Sequence, residues 1–486
     1  MASIGWVLGQ TFVARLLQAA AQVVLGWLLA PEDFGIVALA ITTTHVVVTF
    51  FNLGYDDALL QRFRGARLWV PSLFWVSLAV GASGCAALLL IAPIAAMLLK
   101  QPQLVGVLAI MAIANPIGAL GTVPSTLLRA SMRFRTLSLV ALGEVTASCC
   151  LMVALAYADF GPYSFVIPIP VVAAGRVAAL WLLAERTPIL GRSVRRWKRL
   201  FPAASATLGS RLLMMARDEG DYLVLGLLSS AHQVGLYFFA FRIAVQPMRV
   251  VAQNVSTVLF PALVEQVDDP RRQRDMALQA SELLAVMLMP LCFIQAAVAG
   301  PFLELVFGSK WSESIILVQL LTIGLGFDAA SWTAATLLPA RGEFATELRY
   351  RLLVTPVFIL AVLLGAMGGD ATGTALGVAA YYVLVQPLYF FAVLRRCGLK
   401  GYGHMLRVYL LPASNAALSS LSAIYLVHQL GLSMLASLFV IPSCALLIYV
   451  TCAMVFSPGP ARAIGERLAR MIGRSSPRKV RALQSV

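Results

Sequence analysis

Long apolar runs recur from one end of this 486-residue chain to the other. Each extends over roughly 18 residues or more, enough to cross about 30 Å of hydrocarbon as a helix rising ~1.5 Å per residue. Composition agrees, with 60% hydrophobic and 12% charged residues and a mean hydropathy of +0.85. A soluble domain would carry about twice that charged fraction. The first residues, MASIGWVLGQ, have no basic n-region and no small-residue cleavage site, so no removable signal peptide is expected. The expected class is an all-α polytopic membrane protein.

Spans are placed near 4–30, 36–54, 72–98, 103–127, 137–158, 163–184, 203–229, 234–262, 276–299, 314–338, 350–368, 372–394, 405–427 and 431–456. That makes about 14 transmembrane helices. Breaks fall at turn-formers such as Pro31-Glu32-Asp33, Phe160-Gly161-Pro162 and Gly368-Gly369-Asp370.

Basic residues test this frame independently, because cytoplasmic loops retain Lys and Arg. With the N-terminus inside, the inner segments take Arg62, Arg64 and Arg67, then Arg129, Arg133 and Arg135, then the run GRSVRRWKRL at 191–200, and so on to a basic tail. The outer turns hold only Lys100 and Lys310. Both termini are therefore expected in the cytoplasm. The same asymmetry accounts for the net charge of +15, so nucleic acid is not an expected partner. The 191–200 run suits an inner-face linker touching anionic headgroups. The tail can form a short amphipathic helix on that surface.

A repeat runs through the frame. Leu8-Gly9 recurs as Leu208-Gly209, and Val24-Leu25-Gly26 as Val224-Leu225-Gly226. Leu28, Gly35 and Ala40 return as Leu228, Gly235 and Ala240, all at one offset of 200. The first set begins span 1 and the second begins span 7, both from the inside. An even six-span unit gives a parallel repeat of two six-helix lobes, an arrangement in which transporters bind cargo between lobes and rock for alternating access. The expected domains are an N-lobe at 1–185, a basic cytoplasmic linker at 186–202, a C-lobe at 203–398, two extra helices at 399–457 and a cytoplasmic tail at 458–486.

Enzyme chemistry has little to work with. No Gly-Lys dipeptide occurs, hence no phosphate-binding loop for ATP. His45, His232, His404 and His428 are scattered singly, without metal-ligand spacing. The seven cysteines suggest no disulfide framework. No enzyme, metal or resident cofactor is expected.

Charges inside the spans remain, and each costs about 2.5–3.5 kcal/mol at the bilayer centre even on lenient scales. They therefore face protein or a water-filled cavity. Arg15, Arg176, Arg211, Arg217, Arg242 and Arg249 would form a cationic, substrate-binding cleft. Glu144, Asp218, Asp221 and Asp328 would couple ions or pair with those arginines. Arg217 and Asp221, one helical turn apart, can satisfy each other. A planar guanidinium donates two parallel hydrogen bonds, which suits phosphate. In span 4, ANPIGALGTVPS at 114–125 carries Pro116, Gly118, Gly121 and Pro124. These can bend the helix and free carbonyls toward a cavity, or make a simple packing kink.

Four motifs in order carry a family likeness: LLAPEDFGIVALA (28–40), FNLGYDDALLQR (51–62), DEGDYLVLGLLSSAHQVGLYFFA (218–240) and FGSKWSESIILVQLLTIG (307–324). The chain resembles the bacterial polysaccharide-transporter family, the Wzx-type flippases of the multidrug/oligosaccharidyl-lipid/polysaccharide superfamily. The resemblance implies a cargo of oligosaccharide on undecaprenyl pyrophosphate, for O-antigen, capsule or exopolysaccharide, flipped across the bacterial inner membrane. It implies an ion gradient (H⁺ or Na⁺) or the cargo gradient as driving force. Polysaccharide polymerase and chain-length proteins are the implied protein partners. Family members often carry Asn-x-Asp in span 7, where this chain has Glu219-Gly220-Asp221, so no coupling role passes to position 219. The alternatives are a multidrug/cation antiporter of the same superfamily and a non-transporting scaffold for polysaccharide assembly.

Overall fold

The structure, a computed structural model, describes residues 2–51, 66–131, 133–184, 197–401 and 403–456. The described residues are overwhelmingly helical, with no strand among them. In chain order the helices are α1 (Ala2–Leu28), α2 (Pro31–Phe51), α3 (Ala66–Leu98), α4 (Leu104–Leu120), α5 (Thr122–Ala130), α6 (Phe134–Tyr157), α7 (Tyr163–Val166), α8 (Pro168–Leu183) and α9 (Trp197–Leu228). They continue as α10 (Ala231–Ala244), α11 (Gln246–Val264), α12 (Pro270–Phe307), α13 (Ser314–Ala340), α14 (Phe344–Ala366), α15 (Ala371–Ala380), α16 (Gln386–Arg396), α17 (Leu411–Gln429) and α18 (Met434–Phe456). The basic run before Trp197 and the tail after Phe456 lie outside the described residues.

Eleven helices among the described residues are long and apolar enough to cross a membrane, or up to 12 if α4 and α5 count as one bent span. The chain is thus a multi-pass membrane protein. The helix α9 is 32 residues long, but its centre carries Arg217, Asp218, Glu219 and Asp221, too much charge for an ordinary span. The expected span at 234–262 is divided into α10 and α11, with Pro247 in the first turn of the second helix. Proline lacks an N–H and suits that first turn.

The turn-formers act where the sequence places them. Pro31 opens α2, and Asp33 Oδ2 accepts from the Ala30 N–H at 2.9 Å, capping the new helix. Gly161 and Gly369 adopt φ of +54° and +74°, the left-handed region that glycine enters without penalty. Between α4 and α5 the chain bends by 44° at Gly121. Pro124, one turn on, has no N–H to offer the Leu120 carbonyl, and Trp181 Nε1 donates to it at 3.0 Å. Of the two outcomes open for this kink, the freed carbonyl is therefore satisfied by packing.

The helices form two compact units, Met1–Phe239 with Ala366–Ala371, and Ala240–Gly365 with Thr372–Val486. In the first, α3 lies along α4, α1 along α6, and α8 against both α4 and α6, while α2 touches α3, α4 and α9. Phe34 sits between Phe165 and Phe239, with ring centroids 5.1 and 5.7 Å away in edge-on contact. In the second, α12 is central and meets α11, α13, α17 and α18. Leu337, Phe390, Leu394 and Tyr409 belong to its apolar core, and Tyr409 Oη pairs with Ser331 Oγ at 2.8 Å. Asp269 caps α12 by accepting from the N–H groups of Arg271 and Arg272.

At the loop after α13, still in the second unit, Glu343 receives Arg396 Nε at 3.0 Å and Arg341 Nε at 3.3 Å. Partial burial opposes ionisation of Glu343, but the hydrogen bond and charge of Arg396 prevail and hold its carboxyl below the usual value.

Candidate functional site

The charged centre of α9 is built against α2 within the first unit. On α2, Gly35, Leu39 and Thr42 recur at three- and four-residue spacing and so share one face. On α9, Glu219 and Gly226 are seven apart and share another. Small residues let such faces close in. A Cβ on Gly226 would press on Leu39 Cδ2. A Cβ on Gly35 would collide with the Ala231 carbonyl oxygen, and one on Gly235 with that of Pro31. The last two contacts are related by the sequence offset of 200, with Gly35 answering Gly235 and Pro31 answering Ala231. Backbone approach of this kind is how helices associate in lipid, where the hydrophobic effect offers no drive. At the same end, His232 Nδ1 lies 2.7 Å from Glu32 Oε1, again an offset of 200.

Farther along α2, about 21 Å from Pro31 at ~1.5 Å per residue, the seam becomes polar. Glu219 takes two partners from α2: Thr42 Oγ1 donates to Oε2 at 2.8 Å, and His45 Nδ1 lies 2.5 Å from Oε1. Thr42 and His45 are three apart and reach the same way. Thr43 and Thr44 turn elsewhere, to the Leu39 carbonyl and to Met111 Sδ. The Glu219 side chain is 15% exposed and that of His45 56%.

Asp221, two residues on, is enclosed. It is buried, and it accepts from Tyr237 Oη at 2.7 Å and from the Tyr222 N–H at 2.9 Å. The rings of Tyr222 and Tyr237 meet edge-on at 5.4 Å. The expected pairing of Arg217 with Asp221 is thus replaced by a tyrosine donor from α10. The reason is geometric: Asp221 faces the α10 side, where a neutral hydroxyl satisfies it without burying a second charge.

The remaining expected residues are dispersed. Arg176 on α8 reaches Glu144 on α6 at 3.5 Å, both partly exposed, so that arginine has a carboxylate on another helix. Arg15 on α1 and Arg211 and Arg217 on α9 are half-buried, and Asp218 is exposed. Arg242, Arg249 and Asp328 belong to the second unit. There Trp332 Nε1 donates to Asp328 Oδ2 at 3.0 Å within α13, Asp328 being buried. Arg249 lies on α11, and its side chain is outside what the structure describes.

Sequence reasoning missed the pair formed by His45 and Glu219. In the sequence His45 stands alone, and position 219 departs from the family's Asn-x-Asp pattern. The one available signal was the polar run Thr42-Thr43-Thr44-His45 inside an otherwise apolar span.

Residues 24–316 match the family described as polysaccharide biosynthesis protein. The succinoglycan biosynthesis transport protein ExoT of Rhizobium meliloti is 26% identical over 347 residues, covering 71% of this chain and 70% of that one. The lipopolysaccharide biosynthesis protein WzxC of Escherichia coli is 22% identical over 384 residues, covering 75% and 76%. Among solved structures, lipid II flippase MurJ in an inward closed conformation superposes with a TM-score of 0.74 at 13% identity, covering 93% of this chain and 98% of that one. An inward-facing multidrug resistance MATE family transporter superposes at 0.63 with 14% identity, covering 79% and 94%. The fold is shared with both.

Proposed function

This chain belongs to the polysaccharide biosynthesis protein family, and from that membership we propose that it is a flippase translocating an undecaprenyl-pyrophosphate-linked oligosaccharide repeat unit across the bacterial inner membrane. The observation that carries the proposal is the match over residues 24–316, reinforced by likeness to a succinoglycan transport protein along 71% of the chain. It is a transporter, not an enzyme. Its substrate is a lipid carrying an O-antigen, capsule or exopolysaccharide unit.

The finer architecture is about 14 spans, arranged as lobes at 1–185 and 203–398, with two further helices at 399–457. The contacts of Gly35 and Gly235, related by the offset of 200, support a parallel repeat. Both termini face the cytoplasm, as the retention of Lys and Arg in alternate loops supports. Cargo enters between lobes lined by Arg15, Arg176, Arg211, Arg217, Arg242 and Arg249, whose guanidinium groups suit a pyrophosphate. Glu144 holds Arg176 at 3.5 Å within the first unit. A coupling ion or the cargo gradient drives transport, and a polymerase and chain-length proteins receive the product.

Reconstitution into proteoliposomes with a fluorescent lipid-linked oligosaccharide tests this. Transfer of the label between leaflets is the expected result. Movement of a small organic cation in place of the labelled lipid would assign the chain to antiport, and movement of neither would leave it a scaffold.

A further inference from the structure

We propose that His45 and Glu219 form a proton-binding site that couples transport to a proton gradient. The proposal rests on the flippase reading for what is transported, but the site itself stands on geometry. Two residues 174 positions apart on different helices meet in a mostly apolar seam, His45 Nδ1 at 2.5 Å from Glu219 Oε1. The other carboxylate oxygen is held by Thr42 at 2.8 Å. Glu219 is therefore fixed on both sides, whereas the His45 ring is more than half exposed. No described residue supplies a partner for Nε2.

The proton balance follows from this. With imidazole neutral, Nδ1–H donates to the Glu219 carboxylate and Nε2 offers a lone pair, so the pair carries one negative charge. A proton taken from water at Nε2 gives an imidazolium–carboxylate pair of zero net charge, and its release restores the first state. Net charge within a bilayer demands water, while a neutral pair can be enclosed. Loaded and unloaded sites thus favour different degrees of closure around α2 and α9, which is the requirement for coupling.

The neighbours leave this pair as the titrating centre. Asp218 and Asp221 are its acidic neighbours on α9, the first exposed and the second buried against Tyr237. Arg217 directly precedes Asp218 on the same helix. Of the other helices packed against α2, α4 contains no acidic, basic or histidine residue, α3 contains only Arg67 at its first turn, and α10 carries His232, which meets Glu32 at the opposite end of α2, and Arg242. Asp221 is closed off by Tyr237, so Glu219 is the carboxylate that a proton can reach through His45. The chemistry also selects the ion. The open atom is an imidazole nitrogen, which binds a proton readily, whereas hard cations favour oxygen ligands.

Infrared difference spectra of the purified full-length protein, recorded between about pH 5 and 8 where imidazole ordinarily titrates, test the site without any cargo. Imidazole and carboxylate bands should change together in the unaltered protein. Glu219→Gln should remove the carboxylate band and move the histidine midpoint by at least about one pH unit. His45→Gln should abolish the coupled change. Should His45→Gln fail to fold, Thr42→Val gives the same reading by shifting the shared midpoint. Midpoints identical in all variants would overturn the proton site. In proteoliposomes, the ratio of labelled-lipid transfer with and without a pH gradient should fall to about one in Glu219→Gln. A ratio that persists in the variant, or one set by sodium, would overturn the coupling role. Should the unaltered protein move no lipid, the spectra still decide the proton site while the flippase reading falls.

Discussion

Gly35 and Ala231 meet backbone to backbone, so closely that a methyl group on Gly35 would occupy the space of the Ala231 carbonyl oxygen. Gly235 repeats the arrangement against Pro31. A carbonyl fixed in a helix turn cannot yield as a side chain can.

Gly35→Ala and Gly235→Ala should each destabilise the protein by about 1–3 kcal/mol, the usual cost of overpacking. Gly9→Ala is the control, since a Cβ there meets nothing within 4 Å. Thermal unfolding in detergent should separate the seam variants from the control. Equal midpoints for all three would mean that the seam is loosely packed.

Tyr237→Phe should cost about 1–3 kcal/mol, because it removes a hydroxyl donor from a buried carboxylate. A double-mutant cycle with Asp221→Asn should show coupling of about 0.5–3 kcal/mol. The corresponding cycle between Arg217→Ala and Asp221→Asn should be close to additive. The reverse ranking would restore the arginine as the partner of Asp221.

Transport should fall at least tenfold in Arg217→Lys at normal membrane abundance. Lysine keeps the charge but loses the paired hydrogen bonds that fit a pyrophosphate. Wild-type flipping by this variant would move cargo recognition to Arg15, Arg176, Arg211 or Arg249.

Single cysteines introduced into a cysteine-free protein report the topology. Lys100→Cys should react with an impermeant maleimide applied outside spheroplasts, while Ser193→Cys should react only after permeabilisation. Labelling of residue 193 in sealed spheroplasts would invert the frame.

The loop carboxylate Glu343 gives a pH dependence with a defined sign. Its carboxyl is held below the ordinary value of 4.5, so its contact with Arg396 adds stability that is fully present above that pH. That contribution is lost as pH falls through the lowered value. The difference in unfolding midpoint between the unaltered protein and Glu343→Gln should thus stay constant from neutral pH down to about 4.5. It should shrink only below that.

Hydrocarbon as solvent made much of the architecture legible from residues alone. An apolar run of sufficient length has one satisfied state in lipid, a helix whose backbone bonds are internal. Most helices therefore stand where the runs stand, although the 103–127 and 234–262 runs are each divided, and Pro31, Gly161 and Gly369 interrupt them by backbone geometry that no partner needs to supply. Which charges meet was not legible. Spacing along one helix specifies only neighbours three or four residues away, and it nominated Arg217 for Asp221. Only the approach of separate helices, permitted by the absence of a Cβ at Gly35, Gly226 and Gly235, brought Tyr237 to Asp221 and His45 to Glu219. Burying a lone charge is costly enough that each carboxylate is met by a donor, but sequence separations of 16 and 174 residues leave the donor's identity to the packing.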